Sequence, residues 1–262
     1  MNSLVSAFWA EALKARRSKI SVLTAAGFLI LPLVAGLFMI ILKDPERARA
    51  MGLISAKAQL AAGVADWPTF FGMLTQGTAI GGAVLLAIIT AWVFGREFSD
   101  HTAKELLAVP TPRAAIVGAK FVLTGLWTIA LSLLIFAVGL AIGTAVDIPG
   151  WSIELEWASF WLLITIAVLT WMLMPFVALF ASAGRGYLPP LGWAFLTFTL
   201  AQIVAALGWG DRFPWSVPAL LSGMAGPRAA QIGMHSFVSV ALVFIAGVAA
   251  TVVWWQSADQ TR

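Results

Sequence analysis

Long apolar runs separated by short polar stretches set the pattern of this chain. Six of them, at approximately 21–42, 73–94, 121–146, 157–183, 191–207 and 233–256, approach the length a helix needs to cross a bilayer. Roughly 20 apolar residues span ~30 Å of hydrocarbon. None of the 16 Lys/Arg or 12 Asp/Glu residues falls inside these runs, unlike a proton pump or voltage sensor, which keeps ionisable groups at membrane depth. Ahead of the first run, Leu4, Val5, Phe8, Trp9, Ala12 and Leu13 recur at helical spacing and predict an interfacial amphipathic helix over 3–17. A signal peptide is the competing reading of a basic stretch before an apolar one. The run is too long for it, and no small-residue cleavage pattern follows.

Composition agrees with the pattern. The chain is 61% apolar and 11% charged, with a mean hydropathy of +0.93, whereas soluble domains carry ~25% charged residues. The expectation is an all-α integral membrane protein, one transmembrane domain over 1–262. The absence of cysteine excludes thiolate chemistry and cysteine-ligated metal. The net charge of +4 is spread over loops, with no basic run suited to nucleic acid.

Loop charge predicts orientation. With the N-terminus inside, ten Lys/Arg are cytoplasmic, including Lys14, Arg16, Arg17, Lys19, Arg96, Lys104 and Arg185. Six, Lys43, Arg47, Arg49, Lys57, Arg212 and Arg228, are outside. Both termini are therefore expected in the cytoplasm. Trp67, Trp92, Trp151, Trp157, Trp209, Trp215, Trp254 and Trp255 fall near span ends, as an aromatic belt requires; Trp127 and Trp171 lie deeper and suit core packing.

One stretch is not explained by lipid: the charged island at 96–107, which ends at Pro110–Thr111–Pro112–Arg113. Thr102 and Glu105 fit a capping box, each side chain satisfying a backbone N–H at a helix start. Leu106 and Leu107 follow as an apolar patch, and Pro110 biases Val109 away from helix. Thr111 as N-cap with Pro112 at the first helical position then starts the next helix. A short helix, a proline corner and a new helix are expected; the bland alternative is a solvated loop.

The run 93–113, followed by Lys120, resembles the first cytoplasmic loop of ABC-2-type transporter permeases, in particular the bacitracin and lantibiotic export and immunity branch. The residues carrying the likeness are Glu97, Asp100 with Thr102, Leu106–Leu107, Pro110 and Arg113. His101 departs from the family pattern. The six-span layout and amphipathic start extend the resemblance over nearly the whole chain. The resemblance implies a half-transporter in a bacterial-type plasma (inner) membrane, whose loop is a coupling helix docked on a separate ABC ATPase subunit. It also implies a second permease chain, identical or related. Glu97, Asp100, Thr102 and Glu105 would hold the coupling helix and its contacts, Leu106 and Leu107 would fill the partner's groove, and Arg113 and Lys120 would fix the adjoining helix.

The sequence supports that division of labour independently. No G-x-x-x-x-G-K-[ST] phosphate loop occurs, so no cofactor is expected on this chain, and ATP and Mg would belong to the partner. Apolar spans suit a hydrophobic or amphipathic cargo, and the resemblance implies a peptide antibiotic or drug. A non-transporting anchor or sensor that recruits a cytoplasmic partner is the alternative. A membrane protease is disfavoured: Ser222 follows Leu220–Leu221 rather than a Gly-x pair, no H-E-x-x-H occurs, and the two histidines lie in a loop (His101) and near a span end (His235).

Two further expectations concern the spans. The segment 208–232, rich in Trp and Pro, is either re-entrant or a loop lying on the membrane surface. Pro175 should kink the fourth span. Gln76, Thr78, Thr124, Thr128, Ser132, Thr170, Gln202 and Ser239 should bond to neighbouring helices or their own backbone.

Overall fold

A computed structural model describes residues 3–44, 46, 52, 63–108, 110–224 and 232–257. All regular structure among them is helical. Helix α1 (Ser3–Arg17) turns at Ser18 into α2 (Lys19–Lys43), where the Ser18 hydroxyl accepts from the Ile20 N–H. The second span is α3 (Trp67–Gly77), a π turn at Thr78–Gly82, and α4 (Ala83–Ser99). The short α5 (Ala103–Ala108) leads to α6 (Arg113–Ala145). The fourth span is α7 (Ile153–Met172) and α8 (Pro175–Ala183), followed by α9 (Leu188–Ala206). Two 3-10 turns and α10 (Val217–Leu221) connect to the last helix, α11 (Met234–Ser257).

Six helices are long and apolar enough to cross a membrane. They coincide with the six runs but overshoot them. Lys19–Lys43, Trp67–Ser99 and Arg113–Ala145 have 25, 33 and 33 residues. At 1.5 Å per residue a 33-residue helix is about 50 Å long, well beyond the ~30 Å hydrocarbon core. The extra turns carry the charged residues that the apolar runs leave out. Side-chain oxygens start two further spans: Asp66 accepts from the Thr69 N–H at 2.9 Å and Ser152 from the Leu155 N–H at 3.2 Å. Left-handed residues end several spans. Asp147 (φ 57°), Arg185 (φ 51°) and Gly208 (φ 87°) each follow a helix, and the next N–H donates to the carbonyl five residues back. This is the Schellman arrangement that satisfies otherwise orphaned carbonyls.

Helix α6 is central, packing on α1, α2, α7 and α11, while α8 is held by α4, α9 and α11. As expected, Pro175 breaks the fourth span: α7 stops at Met172 and Pro175 opens α8. Helix α11 crosses there on Gly247, where an added Cβ would lie 2.7 Å from the Pro175 Cβ. The polar groups at membrane depth behave largely as the sequence suggests. Thr78, Thr124, Thr128, Ser132, Thr170 and Ser239 all donate to backbone carbonyls three or four residues back.

Several expectations need correction. Trp67 and Trp255 are each only 2% exposed and belong to the core, not to a belt. Trp67 packs on Phe70 and Phe71, and the Trp255 indole N–H donates to Ser182 Oγ at 2.9 Å. Trp151, Trp157 and Trp209 are exposed near span ends. Pro112 is itself the N-cap of α6, so the helix starts one residue later than Thr111–Pro112 implies. Within 208–232, residues 225–231 lie outside the described residues, and the described part is no loose loop. Ser216, Val217 and Leu220 are buried, and α10 packs on α7, α11 and the π turn.

Candidate functional site

The charged island occupies the end of the bundle where α4 stops, α6 starts and α1 lies across both. Helix α4 ends in another Schellman turn. Its left-handed residue is His101 (φ 58°); the His101 N–H donates to Phe98 O at 3.3 Å and the Thr102 N–H to Glu97 O at 2.9 Å. Glycine is usual at this position because it has no Cβ to clash. His101→Gly should therefore leave folding intact or improve it, whereas His101→Val should cost about 1–2 kcal/mol, the penalty of a branched left-handed residue. Thermal unfolding of the purified variants checks both.

The turn redirects the chain into α5, where the Leu106 N–H donates to Thr102 O at 3.1 Å. The capping box does not form: among the described residues neither the Thr102 hydroxyl nor the Glu105 carboxylate makes a hydrogen bond, and backbone bonds close the start instead. Asp100, Thr102, Lys104, Glu105 and Pro110 are exposed. Leu106 is half-buried against the core, and Ala103 is buried beneath the helix. The Leu107 side chain and Val109 lie outside the described residues, as do Arg47, Arg49, Lys57, Arg228 and Arg262 from the charge count.

Glu97 stands apart from its exposed neighbours. It is 3% exposed and sits in a cluster of five charges drawn from three helices. The Lys120 ammonium, on α6, is fully buried. It donates to Glu97 Oε1 and Oε2 at 2.9 and 3.0 Å, to Glu11 Oε2 at 3.0 Å and to Val93 O at 2.6 Å. Arg96 donates through Nε to Glu97 at 3.1 Å and through Nη2 to Glu11 at 3.0 Å, with its guanidinium 4.5 Å from the Trp92 ring centroid. Lys14 reaches Glu11 at 2.8 Å and Glu97 at 3.3 Å. Three cations against two carboxylates leave the cluster at +1. Charges this deep are tolerated only when paired and hydrogen-bonded, and here every head group has at least two partners.

Lys120 lies seven residues into α6, about 10 Å from its start, so the cluster sits just below the surface on which α1 rests. Arg113 works elsewhere: its Nη1 donates to Trp255 O and Gln256 O at 2.9 and 3.2 Å, closing the C-terminal carbonyls of α11. Glu11 escaped sequence reasoning. Its signal was the stripe Ala7–Glu11–Ala15, a lone acid between two alanines at i±4, and all three are buried. The apolar stripe Leu4, Val5, Trp9 and Leu13 is the exposed one.

Six spanning helices, an amphipathic helix pinned on them by buried ion pairs, and an exposed helical corner define a multi-pass membrane protein. A model of ABC-2 family transporter proteins matches residues 7–201, and the chain belongs to that family as a transporter membrane subunit. Among curated proteins it is similar to the bacitracin transport permease protein BCRB of Bacillus licheniformis. Identity is 27% over 179 residues, covering 68% of this chain and 85% of that protein, which places the chain in the bacitracin branch.

Proposed function

We propose that the chain is the permease of an ATP-driven exporter, with both termini and α5 in the cytoplasm and α5 received by an ABC ATPase subunit. A second permease chain would complete the pathway. The observation that carries this reading is the contrast within the island: an exposed helix stands on a buried, ion-paired mount. A load on α5 passes through the Schellman turn to α4, from Glu97 to Lys120 on α6, and through both to Glu11 on α1. Three helices would therefore answer together when the ATPase closes. Asp100, Thr102 and Glu105 offer polar contacts to the partner, Leu106 and Leu107 an apolar one, while Glu97 holds the mount.

The cargo would be hydrophobic or amphipathic, and the similarity to a bacitracin permease supports a peptide antibiotic or related drug. ATP and Mg would be held by the partner alone.

The test is Leu106→Arg in the chain co-expressed with its ATPase. Leu106 is half-buried, so the permease should still fold. Burying an arginine in the partner's groove should weaken association by roughly tenfold or more, as loss of an interface anchor does, and abolish export. Normal association together with normal export would overturn the assignment. Orientation has its own check: a cysteine replacing His101 should resist impermeant thiol reagents in intact cells.

A further inference from the structure

A cavity of about 510 Å³ lies inside the bundle, away from the charged end. Its volume falls within the ~300–1,000 Å³ typical of small-molecule sites. Small residues hollow it, notably Ala79 and Ala83, and Leu173, Phe198, Trp215 and Leu220 form apolar walls. Three of its walls come from places where regular helix fails. Ala79 belongs to the π turn, Leu173 to the break before Pro175, and Trp215 to a 3-10 turn.

Three properties define what fits. First, the mouth is formed by Phe195, Ile80 and Val84, which are 75%, 40% and 46% exposed on spanning helices, so entry is from hydrocarbon. Second, no Asp, Glu, Lys, Arg or His is among its described lining residues, which excludes ions and strongly charged ligands. Third, its polar groups are of two kinds. The hydroxyls of Thr170 and Ser216 already donate to backbone carbonyls. Thr199 and Gln202 sit one helical turn apart on α9, exposed, with no hydrogen-bond partner among the described residues. An unpaired amide facing hydrocarbon is costly, and an occupant that supplies a donor or acceptor relieves it. Gln202 lies about 6 Å from the C-terminal end of α9, so the polar group is required near the span end and the apolar part towards the break.

We infer that this cavity is a binding site for a lipid-like amphiphile with an uncharged hydroxyl, carbonyl or amide group, which enters sideways from the bilayer. The inference rests on the exporter reading only where it takes the amphiphile to be cargo rather than a resident lipid. Occupancy would bear on three helix irregularities at once.

The experiment uses the full chain in phosphatidylcholine bilayers and a monoacylglycerol with a diazirine near its chain end. Photolabelling should be saturable, competed by unlabelled monoacylglycerol, and concentrated in peptides containing Phe198, Trp215 and Leu173–Met174. Ala83→Phe, which fills the cavity, should abolish it. Gln202→Leu keeps the volume and should weaken competition roughly fivefold, about one net hydrogen bond. Uncompeted adducts spread over the exposed faces of α2 and α11 would overturn the site. So would absent labelling with disulfide cross-linking of two copies through Phe195→Cys, because a second chain would then cover the mouth. With the ATPase present, stimulated hydrolysis marks the amphiphile as cargo and unchanged hydrolysis marks it as a bound lipid; the site stands in both cases. Failure of any ATPase to associate defeats the exporter reading and leaves the labelling result untouched.

Discussion

Glu97→Ala is expected to undock α1 and to cost about 3–5 kcal/mol, the loss typical of breaking a buried ion pair from one side. Without Glu97, Lys120, Arg96 and Lys14 are left with Glu11 alone, and Lys120 cannot reach water from its fully buried position. Charge arithmetic makes the effect asymmetric. Lys120→Met leaves two carboxylates with Arg96 and Lys14, a balanced set, and should be the milder change. The double variant Glu97→Ala with Lys120→Met removes one charge of each sign and should recover part of the loss. Thermal unfolding in lipid measures the ranking, and tryptic cleavage at Lys14, Arg16 and Arg17 reports whether α1 has lifted. If Glu97→Ala were no worse than Lys120→Met, the cluster would not be what holds α1.

Gly247→Leu is the second large effect. An added Cβ would stand 2.7 Å from Pro175 Cβ, 3.1 Å from Phe176 Cδ2 and 3.2 Å from the Phe176 backbone nitrogen. A proline ring and a backbone atom cannot rotate aside as a leucine tip can. Helix α11 must move off α8, straining the Thr251 hydroxyl bond to Pro175 O at 3.3 Å and the Trp255 indole bond to Ser182 at 2.9 Å. Overpacking costs about 1–3 kcal/mol and each strained hydrogen bond about 1 kcal/mol more. Gly72→Ala is the control, because nothing lies within 4 Å of its added Cβ and helix propensity alone should stabilise by up to about 1 kcal/mol. Unfolding temperatures of the two variants should move in opposite directions.

The spans were legible because a single solvent, the lipid tail, dictates them. The runs matched the helices to within several residues, and Pro175 broke its span as proline must. The charged mount was not legible, for two physical reasons. A run is read only while it stays apolar, so the third run began at Phe121, whereas the helix begins at Arg113 and carries Lys120 inward. The amphipathic pattern of α1 also points only to its lipid-facing stripe and says nothing of the opposite face. The apolar stripe with Trp9 is exposed, as an interfacial helix requires, while the stripe carrying Glu11 faces cations. Of the island itself, the helix, corner and helix were foreseen. The turn before it was not, because a histidine took the left-handed position that glycine usually marks. The segment after α9 was ambiguous because apolar residues suit both a membrane surface and a bundle interior; burial of Ser216 and Val217 in the bundle settled how it packs.

The ion cluster also has a history in time. Glu11 is separated from Arg96 by 85 residues and from Lys120 by 109. At ~5–20 residues per second of synthesis, Lys120 emerges roughly 5–20 s after Glu11. During that interval α1 has no permanent seat and must ride on the membrane by its greasy stripe, its carboxylate turned to water. Biogenesis therefore includes a retrospective step, in which the third span locks the earliest of these helices into place. A fault that displaced Arg96 in the second span or Lys120 in the third would leave that helix unclaimed.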